Sequence, residues 1–106
     1  MNTIRIIIID DHPVVREGLR GMIASQPDFE VVGEAEDGAA GVDLIAALQP
    51  DVALMDLRMQ GLDGVGAIEA IRRRGLPARV LVLTTYDSDT DIVRAIQAGA
   101  TGYLLK

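Results

Sequence analysis

Ile4-Arg5-Ile6-Ile7-Ile8-Ile9-Asp10-Asp11-His12-Pro13 is the stretch that decides how the rest of the chain is read. Its apolar run has strand length and stops abruptly at two acids. Pro13 then suits the first turn of a helix, where its missing N–H would have no intrahelical partner. Between Ile6 and Ile9 polar and apolar residues do not alternate, so both faces of this strand belong in a core, as in a parallel sheet covered by helices on either side. Neither this run nor any other apolar run in the chain is long enough to cross a bilayer.

Outward from that strand, apolar runs of similar length recur at Phe29 to Val32, Val52 to Met55, Val80 to Leu83 and Tyr103 to Leu105. Between them lie helical stripes: Val15, Leu19, Met22 and Ile23; Val42, Ile45 and Leu48 before Pro50; Val65, Ile68 and Ile71; and Ile92, Val93 and Ile96. Ser88 with Asp91 resembles a capping box for the last helix, and Gly99 is placed to end it. Apolar strands alternating with amphipathic helices predict an α/β fold with a parallel sheet. No repeat, linker or low-complexity segment interrupts the pattern.

The composition agrees with one soluble domain. At 106 residues, folding hides roughly 60–68% of the unfolded chain's surface, enough for a core without disulfides. Cysteine is absent, which excludes disulfides and thiolate metal sites. Ten basic against 16 acidic residues leave a net charge of −6, a repulsive balance toward a phosphate backbone, so this segment is not expected to bind DNA. Met1 is followed by a strand ending in acids and by no secretory signal pattern, so a cytoplasmic location without membrane contact is expected.

The polar residues that close the strands carry the chemistry. Asp10 and Asp11 follow the first run, Asp56 the third, Thr84 and Thr85 the fourth, and Lys106, the only lysine, the fifth. In a parallel sheet these ends share one edge, where open α/β sheets bind ligands. Three carboxylates gathered there repel by about 4 kcal/mol per pair at about 4 Å and an effective dielectric near 20, so a cation is expected between them. Oxygen ligands without Cys or a second His suit a hard ion, Mg²⁺ or Mn²⁺. Lysine and a threonine hydroxyl suit phosphoryl oxygens. The set reads as phosphoryl transfer to an aspartate, giving an acyl phosphate.

Taken in order, Ile9-Asp10-Asp11-His12-Pro13, Leu54-Met55-Asp56-Leu57-Arg58-Met59, Leu83-Thr84-Thr85 and Gly102-Tyr103-Leu104-Leu105-Lys106 resemble the receiver domain of two-component response regulators. Arg16-Glu17-Gly18-Leu19 and the closing Gly-Tyr-Leu-Leu-Lys are similar to the NarL/FixJ (LuxR-type) subfamily. The resemblance spans residues 1–106 and implies a flavodoxin-like (CheY-like), doubly wound five-stranded parallel sheet in the order 2-1-3-4-5. It further implies a receiver truncated after the fifth strand, without the fifth helix and the C-terminal DNA-binding domain. By the same resemblance Asp56 accepts the phosphoryl group of a sensor histidine kinase. Asp11, Asp56 and the backbone carbonyl of Arg58 hold Mg²⁺ (or Mn²⁺), and Asp10 helps through water. Thr84 and Lys106 contact the phosphoryl oxygens, and Thr84 and Tyr103 form the switch that leads to homodimerisation. Binding to DNA would come only through the absent domain.

Plainer readings stand beside these. His12, the only histidine, reads as a loop or capping residue at the helix entry rather than a metal ligand or phosphodonor. Arg72, Arg73 and Arg74 read as solvated charges complementing a helix dipole, and Asp63 as a turn or helix cap rather than a fourth ligand. Tyr103 reads equally as core or as the switch aromatic. Gln60 stands where the family usually has proline. Two rivals remain: a phosphohydrolase of the haloacid-dehalogenase type, which needs a carboxylate where Arg58 stands, and a pseudo-receiver that is never phosphorylated.

Overall fold

The computed structural model describes residues 3–57, 63–84 and 89–105; the side chains of 84, 89–92, 104 and 105 are outside the description. Strands and helices alternate as β1 (Ile4–Ile9), α1 (Pro13–Ala24), β2 (Phe29–Ala35), α2 (Gly38–Leu48), β3 (Val52–Asp56), α3 (Gly64–Arg73), β4 (Arg79–Thr84), α4 (Asp89–Ala98) and β5 (Gly102–Leu105). The strands form one sheet in the order β2-β1-β3-β4-β5, and every pairing is parallel.

β1 lies inside the sheet, and its Ile7, Ile8 and Ile9 are fully buried. Because successive side chains of a strand point to opposite faces, Ile7 and Ile9 enter one core and Ile6 and Ile8 another. The larger core is filled by Val42 and Ile45 of α2, Val65, Ile68 and Ile71 of α3, and Ala95 of α4. The smaller joins Ile6, Ile8, Leu54 and Leu83 to Ile23 and Leu19, both from α1. Among the described residues, four helices are therefore divided three to one between the faces, with α1 alone on its side.

Local chemistry sets the element ends. Pro13 begins α1 at the expected position. Asp63 caps α3, accepting a hydrogen bond from the Gly66 N–H at 2.8 Å, and Asp37 does the same for α2 through the Ala40 N–H at 2.8 Å. At Gly99, φ of +127° turns the chain out of α4 while its N–H reaches the Ala95 and Ile96 carbonyls.

Two expectations shift. β2 continues through Gly33-Glu34-Ala35 because the register slips between Ile6 and Ile7, pairing Ile6 with Val31 but Ile7 with Gly33. An edge strand tolerates that extra residue and its polar neighbours. Met22 is 70% exposed, and Val93 and Ile96 are exposed too. Among the described side chains of α4 the fully buried one is Ala95, since a small side chain lets α4 pack closely. Ser88, half of the expected capping box, lies outside the described residues.

Candidate functional site

Asp10 follows β1 directly, and its N–H donates to the Ala35 carbonyl at 3.0 Å, extending the β1–β2 ladder by one residue. Its side chain is fully buried. Asp56 closes β3, opposite Leu83 of β4, and is 4% exposed. Asp11 sits on the turn into α1, partly exposed. Parallel strands that end at one edge thus bring Asp10, Asp11 and Asp56 together. With His12 they offer four ligand atoms, all within 4.8 Å of one another.

His12 departs from the expected capping role. It occupies the N-cap position of α1, but its side chain makes no capping hydrogen bond. The ring turns inward, with Nδ1 at 3.0 Å from Asp10 Oδ1, 2.8 Å from Asp11 Oδ1 and 3.9 Å from Asp56 Oδ2. Its backbone N–H donates to Asp10 Oδ1 at 2.8 Å. Despite that short approach, Asp11 Oδ1 is a buried oxygen with no hydrogen-bond partner in proper geometry among the described residues.

Two further residues, Arg16 and Gly64, to which the sequence assigns no site role, build the site. Arg16, one turn into α1, donates from its guanidinium to the Asp10 carbonyl, and its Nε lies 3.5 Å from Glu34 Oε1 on β2. Glu34 also accepts from Arg20 at 2.9 Å. Position 16 lies four residues beyond His12 on a helix that starts at the acidic pair, and that spacing was the available signal. Gly64, at the start of α3, donates its N–H to the Leu57 carbonyl at 3.0 Å directly behind Asp56.

Thr84 closes β4 at the same edge, paired with Leu105. Tyr103, on β5, is 51% exposed, which removes the plain-core reading. Arg58 and Lys106 lie outside the described residues.

A buried carboxylate cluster needs compensating charge. Three carboxylates and an unsatisfied buried oxygen fit a divalent cation, and the donors are those that hard and borderline ions accept.

A family model described as the response regulator receiver domain matches residues 6–106. The chain belongs to that family. Among curated proteins it is similar to the transcriptional regulatory protein LiaR of Bacillus subtilis (strain 168), 48% identical over 103 residues, covering 97% of this chain and 49% of that protein. It is also similar to the nitrate/nitrite response regulator protein NarP of Escherichia coli (strain K12), 45% identical over 102 residues, 96% of this chain and 47% of that protein. Among solved structures, the signal receiver domain of the NarL response regulator from Mycobacterium tuberculosis superposes with a TM-score of 0.94 at 44% identity, covering 99% of this chain and 85% of that one. The chain thus spans about half the length of the curated relatives it matches. It is a receiver domain of the NarL type, a module that generally serves as a switch and not as an enzyme. Among the described residues no helix is long and apolar enough to cross a membrane.

Proposed function

We propose that this receiver domain, spanning residues 1–106, takes a phosphoryl group on Asp56 from the phosphohistidine of a sensor kinase. The observation that carries the reading is the position of Asp56: nearly buried at a strand end, with a carboxylate oxygen within 4.8 Å of those of Asp10 and Asp11. In the transfer an Asp56 oxygen forms the new O–P bond while the P–N bond of the donor breaks. The electron pair stays on the donor imidazole nitrogen, which takes up a proton.

Asp11, Asp56 and the Arg58 carbonyl would hold Mg²⁺ or Mn²⁺, with Asp10 acting through water. The bound cation supplies charge neutralisation to the phosphoryl oxygens. Asp10, held by Arg16 through its backbone and by the His12 N–H through its side chain, keeps the pocket electronegative and in place. Thr84 and Lys106 meet the remaining phosphoryl oxygens. Burial at the end of β3 limits the access of water to Asp56.

Phosphorylation adds about 1.5 to 2 negative charges and three strong acceptors. Drawing Thr84 toward them and rotating Tyr103 would repack the surface of α4 and β5 and favour a homodimer. Moving that equilibrium from 1:99 to 99:1 takes about 5.5 kcal/mol, within reach of a few charge-assisted hydrogen bonds and a metal contact. Control of transcription, which the LiaR name gives for that relative, exerted here through a DNA-binding domain, and a cytoplasmic setting complete the proposal.

Incubation with acetyl phosphate and Mg²⁺, read by intact mass, tests it. A single labile phosphoryl adduct, absent from Asp56→Asn, supports the switch. Steady turnover of phosphomonoesters would indicate a hydrolase instead, and no adduct a pseudo-receiver.

A further inference from the structure

We propose that His12 is a ligand of the cation in the acidic pocket, so that the site favours a first-row divalent ion able to accept imidazole nitrogen, from Mn²⁺ through Ni²⁺ to Zn²⁺, over Mg²⁺. The inference rests on the pocket being a cation site, as proposed above, and assigns it a nitrogen donor beyond the oxygen set.

Three observations on one side chain carry it. First, His12 stands at a helix N-cap yet makes no side-chain cap; its ring turns instead to the acidic pocket, where Nδ1 hydrogen-bonds with Asp10 Oδ1 at 3.0 Å. Second, Nδ1 is turned to the middle of the carboxylates, 2.8 Å from Asp11 Oδ1, 3.0 Å from Asp10 Oδ1 and 3.9 Å from Asp56 Oδ2. In an octahedral site with bonds of 2.0–2.1 Å, neighbouring ligands lie roughly 3.0 Å apart and opposite ones roughly 4.2 Å apart. Nδ1 therefore has the spacing of a neighbour to Asp11 and approaches that of an opposite ligand to Asp56. Third, Asp11 Oδ1, closest to the ring, is buried without a hydrogen bond among the described residues. The ring's hydrogen bond goes instead to Asp10 Oδ1 at 3.0 Å, so the nearer Asp11 oxygen is left facing Nδ1 unsatisfied, as two ligands facing one ion would be.

The choice of metal follows from donor chemistry. Mg²⁺ keeps oxygen ligands and waters, whereas imidazole raises the affinity of later first-row ions along the series from Mn²⁺ to Ni²⁺. A single nitrogen among carboxylates tilts selectivity without excluding Mg²⁺, so phosphorylation supported by Mg²⁺ is compatible with it. The ring is 62% exposed and can take up ligation without disturbing the core.

The chain's single histidine makes the test clean, provided the protein carries no histidine tag. Pulsed EPR of Mn²⁺ bound to the wild type should show modulation from a directly bound ¹⁴N. That signal should change on ¹⁵N-histidine labelling and vanish in His12→Asn, which retains an N-cap side chain. Calorimetric titration with Mg²⁺, Mn²⁺ and Ni²⁺ should show the ratio of Ni²⁺ to Mg²⁺ affinity falling at least about tenfold in His12→Asn, while Mg²⁺ affinity changes little. An unchanged ratio with no nitrogen modulation overturns the inference and makes His12 a bystander. An equal loss for all three ions overturns it as well, since His12 would then only arrange the carboxylates. If the wild type binds none of the ions, the inference fails. The acetyl phosphate adduct on Asp56 then decides separately whether the phosphoacceptor reading fails with it.

Discussion

Gly64 is pressed against the peptide that carries Asp56: a Cβ at position 64 would come within 2.8 Å of the Asp56 carbonyl oxygen and 2.6 Å of the Leu57 Cα. Both are backbone atoms and cannot swing aside. A glycine that looks like a weak link at the start of α3 is what allows the helix to sit directly behind the phosphoacceptor.

Gly64→Ala is therefore expected to lower stability by about 1–3 kcal/mol through overpacking and to slow phosphorylation of Asp56 by acetyl phosphate. Gly18→Ala gives the contrast. Its Cβ would meet nothing within 4 Å in the interior of α1, so it should stabilise by about 0.5–1 kcal/mol and leave the phosphorylation rate unchanged. Urea unfolding and intact-mass kinetics on both variants check the pair.

How much of this was legible in the residues differs from place to place. β1 and β3 were readable because their burial on both faces forces continuous apolar runs. The strand ends told which acids would meet, since parallel order alone brings residues 10, 11 and 56 to one edge. Pro13, Asp63 and Gly99 mark element ends through local backbone chemistry that needs no tertiary context. The burial of Met22, Val93 and Ile96 was misread because helical spacing identifies a stripe but not how far the neighbouring helix reaches across it. His12, Arg16 and Arg72 escaped for another reason. Each is a long or ring side chain whose direction is set by a neighbour distant in sequence or by the shape of a turn, and no periodic pattern records that.

Neutralising the phosphoacceptor should separate stability from function. Without divalent cations, Asp56→Asn relieves repulsion with Asp10 and Asp11, and its melting temperature should rise, by the equivalent of at least about 1 kcal/mol, the bulk-water value for one pair at about 4 Å. Added Mg²⁺ stabilises the folded state in proportion to RT ln(1 + [L]/Kd), so the wild type should gain more than the variant. Thermal melts with Mg²⁺ and with EDTA check this. A wild type insensitive to either would remove the cation from the pocket.

The Glu34 carboxylate is shared by two arginines, but only Arg16 also reaches the Asp10 carbonyl. Arg16→Ala should cost about 1–2 kcal/mol, because it leaves a partly buried carboxylate and a backbone acceptor short of a charged donor, and it should weaken Mg²⁺ binding. Arg20→Ala removes a half-exposed ion pair and should cost no more than about 0.5 kcal/mol, with cation affinity unchanged. Equal effects of the two substitutions on Mg²⁺ affinity would show that α1 anchoring, and not the link to Asp10, matters.

Arg72 makes a related link at the other end of the fold. Exposed at the end of α3 as expected, it also donates to the Gln97 and Ala98 carbonyls at 3.4 and 3.3 Å, at the C-terminus of α4. A cation there meets the last carbonyls and the negative end of the helix dipole together. Its aliphatic stem also lies 3.3 Å from where a Gly99 Cβ would stand. These bonds are long, so Arg72→Ala should reduce global stability by only about 0.5 kcal/mol. The larger effect should be local: amide hydrogens at the end of α4 should exchange faster, while those of β1 remain protected. If α4 moves when Asp56 is phosphorylated, the same variant should also shift the balance between the two states, because the Arg72 link restrains that helix end. Exchange rates measured with and without acetyl phosphate would reveal this. Identical protection of α4 in the variant and the wild type would show that packing of Ala95 alone holds the helix in place.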